Sequence, residues 1–279
     1  MSDEARGAPW RLPGDTTRPV ITAEGHARSS HRDGVPPALP EGCVLFEMGG
    51  ALSLIEAEYP ARAVAERLPC FIADARCVTI DGLEGWCFVH GGYGAPAAVD
   101  ALETLRALGV RRVVVAGLCG GFAEGIGVGD LVAPTRVYSE EGTSRHYFEQ
   151  IEYAVPDERL RARATAYFSE NYRTLTNPTV TCDAIYRQTF AKEAHWRSLG
   201  CVGVDMEASA LLSVSHAYAM PAAALLLCSD RHPLQEEGEG WAWGDDDFAE
   251  TRRRFVRDVV AFARALAESP PLATSGSPD

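Results

Sequence analysis

Gly203-Val204-Asp205-Met206-Glu207-Ala208-Ser209-Ala210-Leu211-Leu212 sets two carboxylates on either side of a thioether, at the head of a small-residue apolar run. Asp205 and Glu207 are two apart, so in extended or turn backbone both project the same way. From Ala208 onward Leu211, Leu212, Val214 and Ser215 recur at spacings of three and four, which predicts a helix. A buried-strand run follows from Ala222 to Cys228 and ends at Ser229-Asp230-Arg231. Acids at strand-to-helix junctions lie where open α/β sheets bind ligands, outside the carboxyl ends of their strands.

Outward from that stretch, strands and helices alternate. Cys43 to Met48 reads as a short strand running into Gly49-Gly50 and a helical segment through Tyr59 to Ala65. Cys70 to Ala73, Cys77 to Asp81 and Trp86 to Val89 read as strands, and Ala98, Leu102, Leu105 and Leu108 as one face of a helix. Arg112 to Gly117 is a β-branched buried strand, followed by a glycine-rich turn, Gly117-Leu118-Cys119-Gly120-Gly121-Phe122. Asp130 to Tyr138 and Thr179 to Asp183 add strands; Leu160 to Asn171, Ala191 to Leu199 and Asp246 to Ala267 add helices. The alternation predicts an α/β protein with one central sheet in a single domain over residues 41–267. Residues 1–40, rich in Pro, Gly, Ser and Arg, read as an irregular arm that packs on a neighbouring subunit, and 268–279 as a mobile tail.

A chain of 279 residues with 46% hydrophobic content can bury a full core, and a net charge of −13 argues against nucleic acid and anionic membranes as partners. The N-terminal stretch has no apolar signal region, and no apolar run approaches membrane-spanning length. The 8 cysteines show no CxxC pair and mostly sit in apolar runs, which predicts reduced, buried thiols in a cytoplasmic protein with no metal site. Gly92-Tyr93-Gly94-Ala95-Pro96-Ala97 has the GxGxxA spacing of a dinucleotide loop. That reading needs an acid at the end of the next strand, and Val115-Ala116-Gly117-Leu118 supplies none, so no nucleotide cofactor is expected.

Val204-Asp205-Met206-Glu207-Ala208 followed by Ser229-Asp230 resembles the signature of the nucleoside phosphorylase and nucleosidase superfamily. The glycine-rich segment leading into Gly129-Asp130-Leu131-Val132 is similar to that family's pocket-lining turn, and the resemblance runs from about Val44 to about Ala267. It implies a mixed, twisted central sheet flanked by helices, a nucleoside as ligand and a homodimer or higher homo-oligomer. Met206 and Glu207 fall on ribose-contacting positions, with Asp205 beside them. A carboxylate accepts two adjacent sugar hydroxyls, and it helps more once positive charge builds on the sugar. Asp230 falls on the acid that protonates a purine leaving base; at the end of an apolar strand its pKa is expected to be raised by desolvation. Its alternative is to cap the following segment. Cys119, Gly120 and Gly121 would line the pocket, and Ile185, Tyr186, Arg187 and Gln188 would face base or sugar.

Departures from the family pattern bear on the nucleophile. Phosphorolytic relatives hold phosphate with a Gly-Asp-Pro-x-Arg turn, an arginine before the central glycine loop and a Ser or Thr inside it. Here those positions read Met48-Gly49-Gly50, Val115 and Leu118. Gly49, Gly92, Gly117 and Leu118 would lie on the phosphate or nucleophile side, with Arg145, Arg187 or Arg231 as substitute cations. The expectation is a phosphorylase releasing a purine-type base and ribose 1-phosphate, with phosphate as co-substrate. A hydrolase using water and an inactive nucleoside-binding protein are the alternatives.

Overall fold

The computed structural model describes residue 12 and residues 14–29, 35–237, 240, 241, 243 and 246–269. In chain order the elements are α1 (Ala23–Ala27), β1 (Gly42–Glu47), α2 (Ala51–Glu58), β2 (Ala61–Ala65), β3 (Cys77–Ile80), β4 (Trp86–His90), α3 (Ala95–Ala107) and β5 (Arg112–Gly121). They continue with β6 (Leu131–Val132), β7 (Val137–Glu140), β8 (Tyr153–Ala154), α4 (Glu158–Phe168), β9 (Thr174–Leu175) and β10 (Thr179–Cys182). The chain closes with α5 (Phe190–Ser198), β11 (Gly203–Asp205), α6 (Ala208–Ala217), β12 (Ala222–Arg231) and α7 (Asp246–Ala267).

One mixed sheet runs β2-β3-β4-β1-β5-β11-β10-β7-β8, and β12 pairs with β5 from the other side. β4, β1, β5 and β12 are mutually parallel; β11 meets β5 antiparallel. The central strands are apolar on both sides, and their alternating residues feed two cores. Cys43, Leu45, Val113, Val115 and Leu226 pack with α3 and α6 on one face. Val44, Phe46, Val114, Ala116 and Leu225 pack with α2, α4 and α7 on the other. The single α/β domain with a mixed sheet is thus as the sequence predicts. All eight cysteines are buried and unbridged. Among the described residues no helix is long and apolar enough to cross a membrane.

Several elements differ from the sequence reading, each for a physical reason. The helix expected through Tyr59 to Ala65 ends at Glu58, because Pro60 cannot continue it; Ala61–Ala65 instead pairs antiparallel with β3. Cys70 to Ala73 is no strand, since the Ile72 and Ala73 amides donate to the Asp100 carboxylate on α3 at 2.6 and 3.1 Å. Asp130 to Tyr138 splits into β6 and β7 around Pro134. The supposed glycine-rich turn is the second half of β5. Its glycines answer a need for space, not for unusual dihedrals: a Cβ on Gly121 would sit 2.8 Å from Ile126 and 2.9 Å from the Cys228 sulfur.

The arm also differs. Thr22 caps α1, and Glu24 pairs with Arg106 of α3 at 2.7 Å. The Leu39 amide donates to Leu108 O at 2.8 Å, so the described part of the arm packs on its own chain. Residues 1–11, 13 and 30–34, and 270–279 of the tail, lie outside the described residues.

Candidate active site

Four acids, Glu47, Asp205, Glu207 and Asp230, end up around the carboxyl end of β5. β11 approaches one edge there with Val204 opposite Gly120, and β12 runs along the other with Asp230 opposite the same glycine. β1 covers the first half of β5 and finishes with Glu47 opposite Gly117. Asp205 ends β11 and Glu207 heads α6 just beyond it, so the acids foreseen in the sequence follow strands that both pair with β5 at Gly120.

Asp205 and Glu207 do not project alike. Asp205 turns inward: Oδ2 accepts the Glu207 and Ala208 amides at 3.0 and 2.5 Å, and Oδ1 accepts the Thr181 hydroxyl at 2.7 Å. The same Thr181 oxygen accepts the Ser209 amide at 2.9 Å. Asp205 thus satisfies the orphan N–H groups at the start of α6, a structural task that occupies both its oxygens. Glu207 points the other way and accepts the Gly94 amide through Oε1 at 2.6 Å. Gly94 has φ +85° at the head of α3, a backbone state that favours glycine. The GxGxxA loop that cannot hold a dinucleotide is therefore a clamp on Glu207. Burial first, and then the charge on Asp205, push the Glu207 carboxyl up to about 8.

Asp230 corrects an expectation. Burial alone would raise its pKa, but hydrogen bonds from His232, Ser229 and Trp241 and the charge on His232 bring it below the usual value. The Ser229 hydroxyl donates to Oδ1 at 2.6 Å, and the Trp241 indole to Oδ2 at 2.7 Å. His232 Nε2 is 3.3 Å from the same Oδ2, and its Nδ1 is 2.6 Å from Glu193 Oε1 on α5. Asp230 is also no cap, because β12 continues through it to Arg231.

Glu47 was missed by sequence reasoning. It is 4% exposed, and neither of its carboxylate oxygens has a hydrogen-bond partner among the described residues. Burial, reinforced by the charges of Glu207 and Asp205, raises its pKa well above the usual range. Gly91 abuts it so closely that a Cβ there would lie 2.0 Å from Oε1. The signal was present: an acid closing an all-apolar run, Cys43 to Phe46, as Asp230 closes its own. His232, Glu193 and Trp241 carried no local signal, since they converge only through the fold.

The remaining predicted positions divide. Cys119 is buried in the core on the α3/α6 face, close enough to Asp205 and Asp230 to feel both charges. Gly120 must be a glycine, because a Cβ would sit 2.5 Å from His232 Nε2. Leu118 is half-buried against the opposite core. Gly49 lies by the Tyr93 hydroxyl, 3.0 Å from where its Cβ would be, which brings the β1–α2 and β4–α3 loops together. Gly92 belongs to that second loop, with Ala73 and Ala97 against it. Ile185, Tyr186 and Arg187 form an exposed 3-10 turn after β10, Tyr186 97% exposed, and Gln188 follows half-buried. Within one chain this turn encloses nothing.

Comparison with known proteins accords with this fold. A family model described as "Phosphorylase superfamily" matches residues 43–268. A guanosine phosphorylase of Halorubrum lacusprofundi is 30% identical over 171 residues, which span 61% of this chain and 70% of that one. Purine nucleoside phosphorylase of Toxoplasma gondii, solved in complex with immucillin-H, superposes with a TM-score of 0.68 at 17% identity, over 81% of this chain and 90% of that one. AMP nucleosidase of Bacteroides thetaiotaomicron does so with a TM-score of 0.64 at 21% identity, over 83% and 91%. The two structures share the fold.

Proposed function

The chain belongs to the phosphorylase superfamily, and from that membership we propose that it cleaves the N-glycosidic bond of a purine nucleoside, passing the ribosyl group to phosphate. The observation that carries this reading is the placing of Glu207 at the head of α6, just past the end of β11, and of Asp230 on β12, with both strands paired to β5 at Gly120. Met206 and Glu207 hold the ribose. Glu207 Oε1 takes one amide from Gly94, and the lone pairs left on its carboxylate accept sugar hydroxyls. A carboxylate whose ionisation is disfavoured by burial and by Asp205 gains most when a cation forms beside it. That is the difference between ground state and transition state on which the rate depends. Asp230 faces the base, with Cys119, Gly120 and Gly121 between the two acids. The exposed turn at Ile185, Tyr186, Arg187 and Gln188 forms a pocket wall only against a further surface, which supports an oligomer. The reading needs no cofactor beyond phosphate.

One observation favours water over phosphate as the nucleophile. Glu47 is an unpartnered buried carboxyl at the end of β1, beside Gly91 and Gly117 and within reach of the Glu207 charge. A carboxyl whose pKa is raised by burial suits the activation of water as a general base.

Both readings are tested by incubating the protein with purine and pyrimidine nucleosides, with and without phosphate. Ribose 1-phosphate formed only with phosphate present supports the main reading. Free ribose released at equal rates without phosphate, and lost in Glu47→Gln, supports the second. Absence of base release from every nucleoside overturns both.

A further inference from the structure

Among the described residues, Asp230 accepts from three donors: the Ser229 hydroxyl, the Trp241 indole and His232. A carboxyl that accepts at both oxygens and is 4% exposed is an anion, and an anion has no proton to give. The base-leaving step nevertheless needs one. Behind Asp230 lies Glu193, 5% exposed on α5, with Oε1 2.6 Å from His232 Nδ1. Two buried carboxylates on opposite nitrogens of one imidazole are tolerable only when the ring is charged and donates to both. Gly120 leaves the space that lets the ring sit there.

Resting on the proposed cleavage of a purine nucleoside, we infer that His232 is the proton reservoir for the departing base, working through Asp230, with Glu193 holding the imidazole charged. His232 and Glu193 are positioning residues, and Asp230 is the group that meets the base. As the C1′–N bond breaks, its electron pair leaves with the base. His232 Nε2 passes its proton to the Asp230 carboxylate, and the carboxyl so formed gives a proton to a base ring nitrogen. Asp230 begins and ends ionised, and His232 ends neutral. Its side chain is 15% exposed, so solvent can recharge it once product has left.

The groups facing the ring are Glu193 and, beyond it, Arg197 from α5, and Asp230 from β12. Burial alone would lower the His232 pKa, but hydrogen bonds to Asp230 and Glu193 carry it up to about 9. The charged form is therefore present below that value, and the relay is lost as pH rises through it.

The test compares guanosine with N7-methylguanosine, whose base already carries the positive charge and departs neutral without taking up a proton. His232→Gln is expected to lower kcat on guanosine by about 10²-fold. It should leave N7-methylguanosine turnover nearly intact and abolish the alkaline limb near pH 9. Equal loss on both substrates, or an unmoved alkaline limb, overturns the relay. Should His232→Gln not fold, Glu193→Gln carries the same test, because removing one flanking charge must shift the alkaline limb to lower pH. An unshifted limb in that variant overturns the proposal. A wild-type protein that releases base from neither nucleoside overturns the proposed activity and the relay with it; one that turns over both while the variants show no substrate dependence overturns the relay alone.

Discussion

Glu207 Oε1 accepts the Gly94 amide at 2.6 Å, tying the head of α6 to the head of α3 across 113 residues of chain. The bond fixes the carboxylate's direction, so its loss should be felt in chemistry before folding. Glu207→Gln keeps the shape and removes the charge. The expected result is a fall in kcat of at least about 10²-fold with an unchanged thermal midpoint, measured on purified protein by base release and circular dichroism. Unchanged turnover would sink the ribose assignment.

The pH profile follows from two groups. Glu207 is pushed up to about 8 by burial and by Asp205, and it acts as an anion, so kcat/KM should rise as pH climbs through that value. His232, at about 9, acts as a cation, so kcat/KM should fall above it. A narrow alkaline optimum is expected, and a flat profile from neutral to strongly alkaline pH would contradict both assignments.

Glu47 makes stability depend on pH. Its folded pKa is raised, so stability is full below the ordinary glutamate value of about 4.3 and is lost as pH rises toward the folded pKa. Glu47→Gln should flatten that decline, which thermal melts of both proteins from acid to alkaline pH would detect. Gly91→Ala should cost about 1–3 kcal/mol by overpacking, since its Cβ would fall 2.0 Å from Glu47 Oε1. Combining it with Glu47→Ala should recover most of the loss, and additive costs would show that the clash lies elsewhere.

Thr181 joins β10 to α6 through one oxygen that donates to Asp205 and accepts from Ser209. Thr181→Val leaves a buried carboxylate oxygen and an amide unpaired, and should destabilise by about 2–3 kcal/mol. Urea denaturation measures it. A loss below about 0.5 kcal/mol would mean that the two groups find other partners.

Trp241→Phe keeps the ring and deletes the indole donor to Asp230 Oδ2. The carboxylate then loses one of the bonds that fix its orientation, and kcat on guanosine should fall about tenfold, the worth of one hydrogen bond to a charged group. An unchanged kcat would mean that Ser229 and His232 alone suffice.

Much of this was legible in local sequence, and the failures share a cause. Asp230 and Glu207 stand out because an acid ending an apolar run, or heading a small-residue helix, is locally conspicuous. The fold class follows from alternating apolar runs and helical spacings. Gly117, Gly120 and Gly121 read as a turn because glycine most often serves turns; in the fold they make room for Glu47, His232, Ile126 and Cys228, all distant in sequence. Asp205 and Glu207 look equivalent until Thr181 arrives from β10 and Gly94 from the β4–α3 loop. The lowered pKa of Asp230 needs His232, Ser229 and Trp241 together, with Glu193 of α5 on the far nitrogen of His232, a meeting that no periodicity encodes.

Gly120, with Val204 on one side and Asp230 on the other, behaves as the fixed bar of a caliper. Neighbouring strands lie about 4.8 Å apart, so β11 and β12 hold the jaws about 10 Å apart, whatever surrounds them. Mutation can hardly alter that gap without breaking the sheet. If the proposed activity holds, a change of preferred base or sugar substituent is expected where no strand constrains the chain, at residues 185–188.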